Sequence, residues 1–171
     1  MSHRRSKGCN TVKRALCTLV AGTMLILGND PAAWAASASS QLIGTWTLDL
    51  ARSKFNPGPA PQSDTRKYEL SAQGVTVTVN VVRASGSVMS EHSTYKSDGK
   101  DYPLIGNPNV DALSLRRINA STTEITQKLS GKVVGTETRI ISADGKVMTI
   151  SAHGTNAQGL PFDRVAVYDK Q

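Results

Sequence analysis

The stretch VTVTVNVV, Val75 to Val82, alternates so regularly that one element alone accommodates it. Val75, Val77, Val79 and Val81 fall on one face of an extended chain and Thr76, Thr78 and Asn80 on the other, the period of a half-buried β-strand. Eight further segments share its length and β-prone composition: 44–50, 66–71, 87–96, 112–118, 123–129, 133–142, 147–154 and 162–169. Between them recur the turn signals SAQG, RASG, SDGK, NAST, SGK, ADGK and NAQG, including the hairpin-prone pairs Asp98-Gly99 and Asp144-Gly145. No segment carries a convincing helical period. The pattern predicts an all-β fold, an antiparallel up-and-down meander of about 8–10 strands. A closed or nearly closed barrel is favoured because closure removes exposed edges, and a β-sandwich is the alternative.

The first 38 residues stand apart. A basic start (Arg4, Arg5, Lys7, Lys13, Arg14), the apolar run ALCTLVAGTMLILG and small residues behind it read as a signal peptide, with cleavage after Ala35 or Ala38. The run is shorter than the roughly 20 apolar residues that span a bilayer, so no integral membrane segment is expected after cleavage. Both cysteines, Cys9 and Cys17, leave with this leader, which removes disulfides and thiol chemistry from the mature chain. So do five basic residues and Asp30, taking 20 basic and 13 acidic residues to 15 and 12 and the net charge from +7 to +3. The remaining charges are interspersed, and nucleic acid is not an expected partner. Residues 39–171 are expected to form a single exported domain, periplasmic or secreted.

Two connections break the rhythm of short turns: a Pro-rich loop, 51–65, and YPLIGNPNVD, 102–111. The first is stiff, and as a lid over a barrel mouth it would offer Phe55, Pro57 and Pro59. In GTWTLDL, Trp46, Leu48 and Leu50 are expected inward. On the strand 87–96, Met89, Glu91, Ser93 and Tyr95 share one face, which suits either an edge strand or the wall of a polar cavity. On the last strand Arg164, Ala166 and Tyr168 share a face, and if it is the inner one, a guanidinium and a phenol could hold an oxyanion. Candidate ligand-binding residues are Trp46, Tyr68, Tyr95, Arg164 and Tyr168.

A search for reaction chemistry yields no catalytic residue. His92 and His153 lie on different strands without metal-ligand spacing, so neither metal nor cofactor is expected. There is no Gly-x-Ser-x-Gly elbow and no phosphate loop. Asp98 and Asp101 suit a turn, as does Asn119-Ala120-Ser121, despite its match to a glycosylation acceptor.

With Gly44-Thr45-Trp46 at the head of a meander and VAVYDK at its end, the chain resembles the calycin barrels, the lipocalins and intracellular fatty-acid-binding proteins. That resemblance implies that the Trp46 indole closes the barrel's end and that a late-strand arginine, here Arg164, packs across it. Ala166 stands where fatty-acid-binding proteins carry a carboxylate-binding arginine, Tyr168 keeps their tyrosine, and the Pro-rich loop replaces their two-helix lid. Over nearly the whole mature chain the sequence is also similar to a type of small secreted bacterial protein, through Ser53–Pro59, Asp98–Pro103 and Val167–Lys170. The expected function is an exported binding protein for a small apolar or amphipathic ligand. The alternatives are an envelope interaction module with a filled barrel and an enzyme on the same scaffold using Tyr95, Tyr168 or His92, the catalytic reading being the weaker one.

Overall fold

The computed structural model describes residues 41–156 and 159–171; the leader, with Cys9, Cys17 and the cleavage positions, lies outside the described residues. Ten strands form one antiparallel sheet: β1 (Gly44–Asn56), β2 (Ser63–Ser71), β3 (Gly74–Val82), β4 (Val88–Tyr95), β5 (Asp98–Pro103), β6 (Ala112–Arg117), β7 (Thr122–Leu129), β8 (Lys132–Ile141), β9 (Val147–Thr155) and β10 (Pro161–Lys170). Their order is β4-β3-β2-β1-β10-β9-β8-β7-β6-β5, so every sequential pair is a hairpin except β4 and β5, which end the sheet. The two ends meet across a seam. His92 and Ile105 exchange backbone hydrogen bonds of 2.9 Å each, and Ser93 Oγ donates to the Pro103 carbonyl at 2.8 Å. The result is a nearly closed up-and-down barrel, the architecture that both the alternation and the calycin resemblance imply.

β5 is the strand the turn signals conceal. Asp98 faces Arg116 and Asp101 faces Ser114, so the Asp-Gly pair supplies a one-residue bulge within β5 and not a hairpin turn. Asp98 Oδ1 accepts from Lys100 N at 3.1 Å and Oδ2 from the Tyr102 hydroxyl at 3.0 Å. The second pair, Asp144-Gly145, does turn a hairpin, between β8 and β9. Asn119 Oδ1 caps its own turn, accepting from Thr122 N at 2.8 Å and Ser121 N at 3.0 Å.

β1 is longer than GTWTLDL and the Pro-rich connection correspondingly shorter, at 57–62 instead of 51–65. The extension passes through a bulge. Asp49 faces Val167 but Lys54 faces Val165, five steps along β1 against two along β10. Asp49 fixes the excursion: its Oδ1 accepts from Ala51 N at 2.9 Å and Arg52 N at 3.1 Å. Ser53 Oγ donates to the Asp49 carbonyl at 2.6 Å and accepts from Val167 N at 2.9 Å, standing in for the missing ladder partner. Leu50 is consequently looped out and 44% exposed, contrary to the strict alternation expected of GTWTLDL. Beyond the bulge parity is restored, and Phe55 returns to the inner face opposite Arg164.

The core fills the end of the barrel built from Leu42, Trp46, Ile141, Met148 and Ile150, each at most 6% exposed. Trp46 is fully buried and its indole N–H donates to the Leu42 carbonyl at 2.8 Å. Lys170, its partner across the ladder, lays its stem over the indole, with Nζ 5.3 Å from the ring centroid. That stem passes within 2.9 Å of where a Cβ on Gly44 would sit, so the glycine of the Gly-x-Trp triplet makes room for the lysine. Lys170 Nζ ends on the Gln41 carbonyl at 2.7 Å. The cation across Trp46 is thus Lys170 and not Arg164, because Arg164 lies six residues earlier on β10, toward the opposite end of the barrel.

The seam depends on one close approach. Gly106 has φ +92° and a Cβ there would lie 1.9 Å from the Ser90 carbonyl oxygen, which lets the segment after β5 press against β4. Gly106→Ala should therefore cost more than about 3 kcal/mol, above the roughly 1–3 kcal/mol of left-handed strain alone. Gly86→Ala, at φ +84° with open space around it, should cost about 1–2 kcal/mol. Urea denaturation of the two variants compares them, and equal losses would show that the close approach at Gly106 adds nothing to the cost.

Candidate functional site

A cavity of about 530 Å³ occupies the rest of the barrel and reaches the end carrying the 57–62 and 83–87 connections. Its volume lies in the range that encloses small ligands. One wall is apolar: Val77, Val79 and Val81 from β3, Leu113 and Leu115 from β6, and Ile125 from β7. The remainder is polar, and the period of two explains its composition. β2 sends Asp64, Arg66 and Tyr68 inward, β4 sends Met89, Glu91 and Tyr95, β8 sends Glu137 and Arg139, and β10 sends Arg164, Ala166 and Tyr168. Phe55 and Pro59 stand at the rim with Pro61, Arg83 and Ser85; Pro57 does not line the cavity.

Two of the three inward carboxylates are matched to guanidiniums. Asp64 is 6% exposed and its Oδ2 accepts from Arg66 Nη2 at 3.1 Å and from the Tyr168 hydroxyl at 2.8 Å. Burial pushes the Tyr168 phenol well above its ordinary range, so it remains a donor to this carboxylate. Arg66 lies 5.0 Å from the Tyr168 ring centroid; burial opposes its charge, but the Asp64 carboxylate and the neighbouring phenols more than compensate and raise its pKa. Glu137, 5% exposed, accepts on Oε1 from Arg164 Nη2 at 2.5 Å and Gln127 Nε2 at 2.9 Å. Arg164 and Glu137 both sit opposite Ala152 on β9, and this small residue leaves the space through which they meet.

Among the described residues the third carboxylate, Glu91, has no guanidinium within 4 Å and accepts a hydrogen bond from Asn107 Nδ2 at 2.8 Å. Burial raises its pKa, and Arg66 and Arg164 nearby only partly counter this. Arg139 is the complementary case. It is 4% exposed, lines the cavity and has no carboxylate within 4 Å among the described residues. Its Nη1 donates to the Tyr95 hydroxyl at 3.2 Å and its guanidinium carbon stands 5.4 Å from the Tyr68 ring centroid. Burial pushes the Tyr95 phenol up, so at neutral pH Tyr95 supplies an oxygen and no negative charge. A guanidinium does not shed its proton: burial opposes the Arg139 charge, Tyr95 and Tyr68 more than compensate and raise its pKa, and among the described residues no carboxylate neutralises it. Arg117 on β6 lies near enough that the Arg139 charge assists burial in lowering its pKa.

Of the residues read from the sequence, Tyr68, Tyr95, Arg164 and Tyr168 line the cavity, while Trp46 is sealed in the core beyond it. His92 and His153 are on the outer surface. Among the described residues no group of three His, Cys, Asp or Glu could hold a metal ion, and no helix is long and apolar enough to cross a membrane. Asp64, Arg66, Glu137 and Arg139 are the residues that sequence reasoning missed. Their signal was the hairpin register: the Ala72-Gln73 turn places Val79 opposite Arg66 and Val77 opposite Tyr68, so the valine face carries Arg66 inward.

No protein-family model matches the chain, and no curated protein sequence matches it. Among solved structures it is similar to the zebrafish ileal bile acid-binding protein crystallised with cholic acid, at 11% identity and a TM-score of 0.45, covering 77% of this chain and 99% of that one.

Two variants test these assignments. Tyr168→Phe removes a buried hydrogen bond to a charged group and should cost about 1.5–3 kcal/mol in urea denaturation. A loss below about 0.5 kcal/mol would mean that Arg66 alone satisfies Asp64. Glu91→Gln should stabilise the protein near neutral pH, because a raised folded pKa means that ionised Glu91 opposes folding above its folded pKa. Below the unfolded value the carboxyl is protonated in both states, and the advantage of glutamine should vanish. Melting temperatures of both proteins across that range check the sign.

Proposed function

We propose that the chain is an exported carrier that holds a small amphipathic anion inside its barrel, with the anionic group against Arg139. The observation that carries this reading is a buried guanidinium without a carboxylate, aimed into a cavity of about 530 Å³. Tyr95 and Tyr68 support the Arg139 charge without neutralising it, and a ligand anion would do so. Tyr95 adds a hydroxyl to the same point and the β3–β6–β7 wall supplies the apolar surface for a chain or ring. A cavity of this size speaks against the filled-barrel module, and export rests on the leader expected at 1–38.

Displacement of the fluorescent probe anilinonaphthalene sulfonate is the test. Dodecanoate should displace it at lower concentration than dodecanol, and Arg139→Gln should reduce that preference by about tenfold or more, about 1.4 kcal/mol. If neither compound binds, or if both bind equally to the wild-type protein, the reading fails.

A further inference from the structure

The cavity is not uniformly cationic. In its mouth-side half Asp64, Glu91 and Glu137 stand among Arg66 and Arg164, with Arg83 at the rim donating to Met89 Sδ and making no ion pair among the described residues. Glu91 is the carboxylate without an ion pair: Asp64 and Glu137 each hold a guanidinium, while among the described residues Glu91 has an amide donor from Asn107. Toward the closed end the balance reverses at Arg139. Glu91 and Tyr95, the partner of Arg139, are four residues apart on β4, which separates the two levels by about 13 Å at roughly 3.3 Å per residue. Arg139 and Glu91 line one cavity, yet they do not pair with each other.

Resting on the carrier reading above, we propose that the ligand is two-ended: its anionic group meets Arg139, and a hydrogen-bond donor at its opposite end, an ammonium or a hydroxyl, is received by Glu91. The chemistry is balanced at both ends. An anion neutralises the guanidinium that the fold leaves alone, and a donor satisfies the carboxylate that the fold leaves with one amide. The opposite orientation would bring an ammonium to Arg139 and an anion to Glu91, like charges at both ends. A ligand with a bare methyl terminus would leave Glu91 facing apolar surface, removed from the water that otherwise reaches it. Glu91 is thereby the residue that distinguishes among amphipathic anions of equal length. Burial of Glu91 strengthens the argument, since a group whose charge is disfavoured by its surroundings gains most from a donor brought to it.

The probes are dodecanoate, 12-hydroxydodecanoate and 12-aminododecanoate, which share a carboxylate and a chain and differ at the far end. Their affinities are measured by isothermal titration calorimetry on the mature protein, Glu91→Gln and Glu91→Leu, each first shown to be folded by circular dichroism. In the wild-type protein at least one donor-bearing probe should bind about tenfold more tightly than dodecanoate, and the ranking of amine against hydroxyl identifies the donor. Glu91→Gln should erase a preference for the amine, and Glu91→Leu should erase a preference for either and bind dodecanoate at least as well as the wild type does. Should dodecanoate bind as tightly as both other probes, or should a preference survive in Glu91→Leu, this inference falls and the carrier reading stands. Should none of the three bind, both fall together.

Discussion

The pairing of the first strand with the last is the constraint on which the barrel depends. β1 and β10 are joined from Trp46–Lys170 to Asn56–Asp163, a contact between residues more than one hundred positions apart. Without it the chain would be two open ribbons, β1 to β4 and β5 to β10, each with an exposed edge in the middle of the molecule. The two ends of this ladder have different tasks. At one end Trp46 fills the core and Lys170 crosses its face to reach the Gln41 carbonyl, tying the segment before β1 to the end of the chain. At the other, Phe55 and Arg164 meet at the mouth of the cavity. The bulge between Asp49 and Lys54 lets one strand serve both, because it absorbs the mismatch in length while returning Phe55 to the inner face.

A barrel interior carrying three carboxylates and three buried or half-buried guanidiniums needs an account, since burying unpaired charge is expensive. Most of it is provided by pairing across the sheet. Asp64 with Arg66 and Glu137 with Arg164 are each supplemented by a neutral donor, Tyr168 and Gln127 respectively, on both oxygens of Asp64 and on Oε1 of Glu137. Such pairs contribute little net stability compared with an apolar core of the same shape, but their hydrogen bonds fix where each side chain points. The two groups outside this arrangement, Arg139 and Glu91, gain definition by contrast. Among the described residues they are the cavity-lining carboxylate and the buried guanidinium that join no ion pair.

The strand content was legible because alternation and turns are local. VTVTVNVV, the Asp144-Gly145 hairpin and the inward set Met89, Glu91 and Tyr95 all follow from the period of two. What failed were places where the backbone departs from that period. Leu50 left the inner face at a bulge held by Asp49 and Ser53, polar residues that look like ordinary surface in the sequence. β5 was hidden because Asp98-Gly99 is as good a bulge as it is a turn, and because its last residues, Tyr102 and Pro103, fall in the segment read as the connection 102–111. The inner charges were illegible for another reason. On β8, Thr136 and Thr138 alternate with Glu137 and Arg139, so both faces are polar and composition does not say which is inside. Only the hairpin register, carried from strand to strand from the valine face of β3, assigns them.

The seam between β4 and β5 joins this charge geography to the architecture. Sheet closure by continuous ladders would have fixed β4 on both sides. Instead β4 is held on its free side by a single exchange at His92 and Ile105, by Ser93 on the Pro103 carbonyl, and by Asn107 on Glu91. The first two are structural and use backbone atoms, which no ligand can replace. The third uses the carboxylate that the cavity leaves unmatched, so the same side chain contributes to closing the barrel and to lining it. Asn107 engages one oxygen of Glu91, so a donor brought from inside the cavity, as proposed above, would meet the other. On that proposal the carboxylate would not have to release the seam, and the cavity reaches the end of the barrel carrying the 57–62 and 83–87 connections, where Pro59, Pro61 and Arg83 line it.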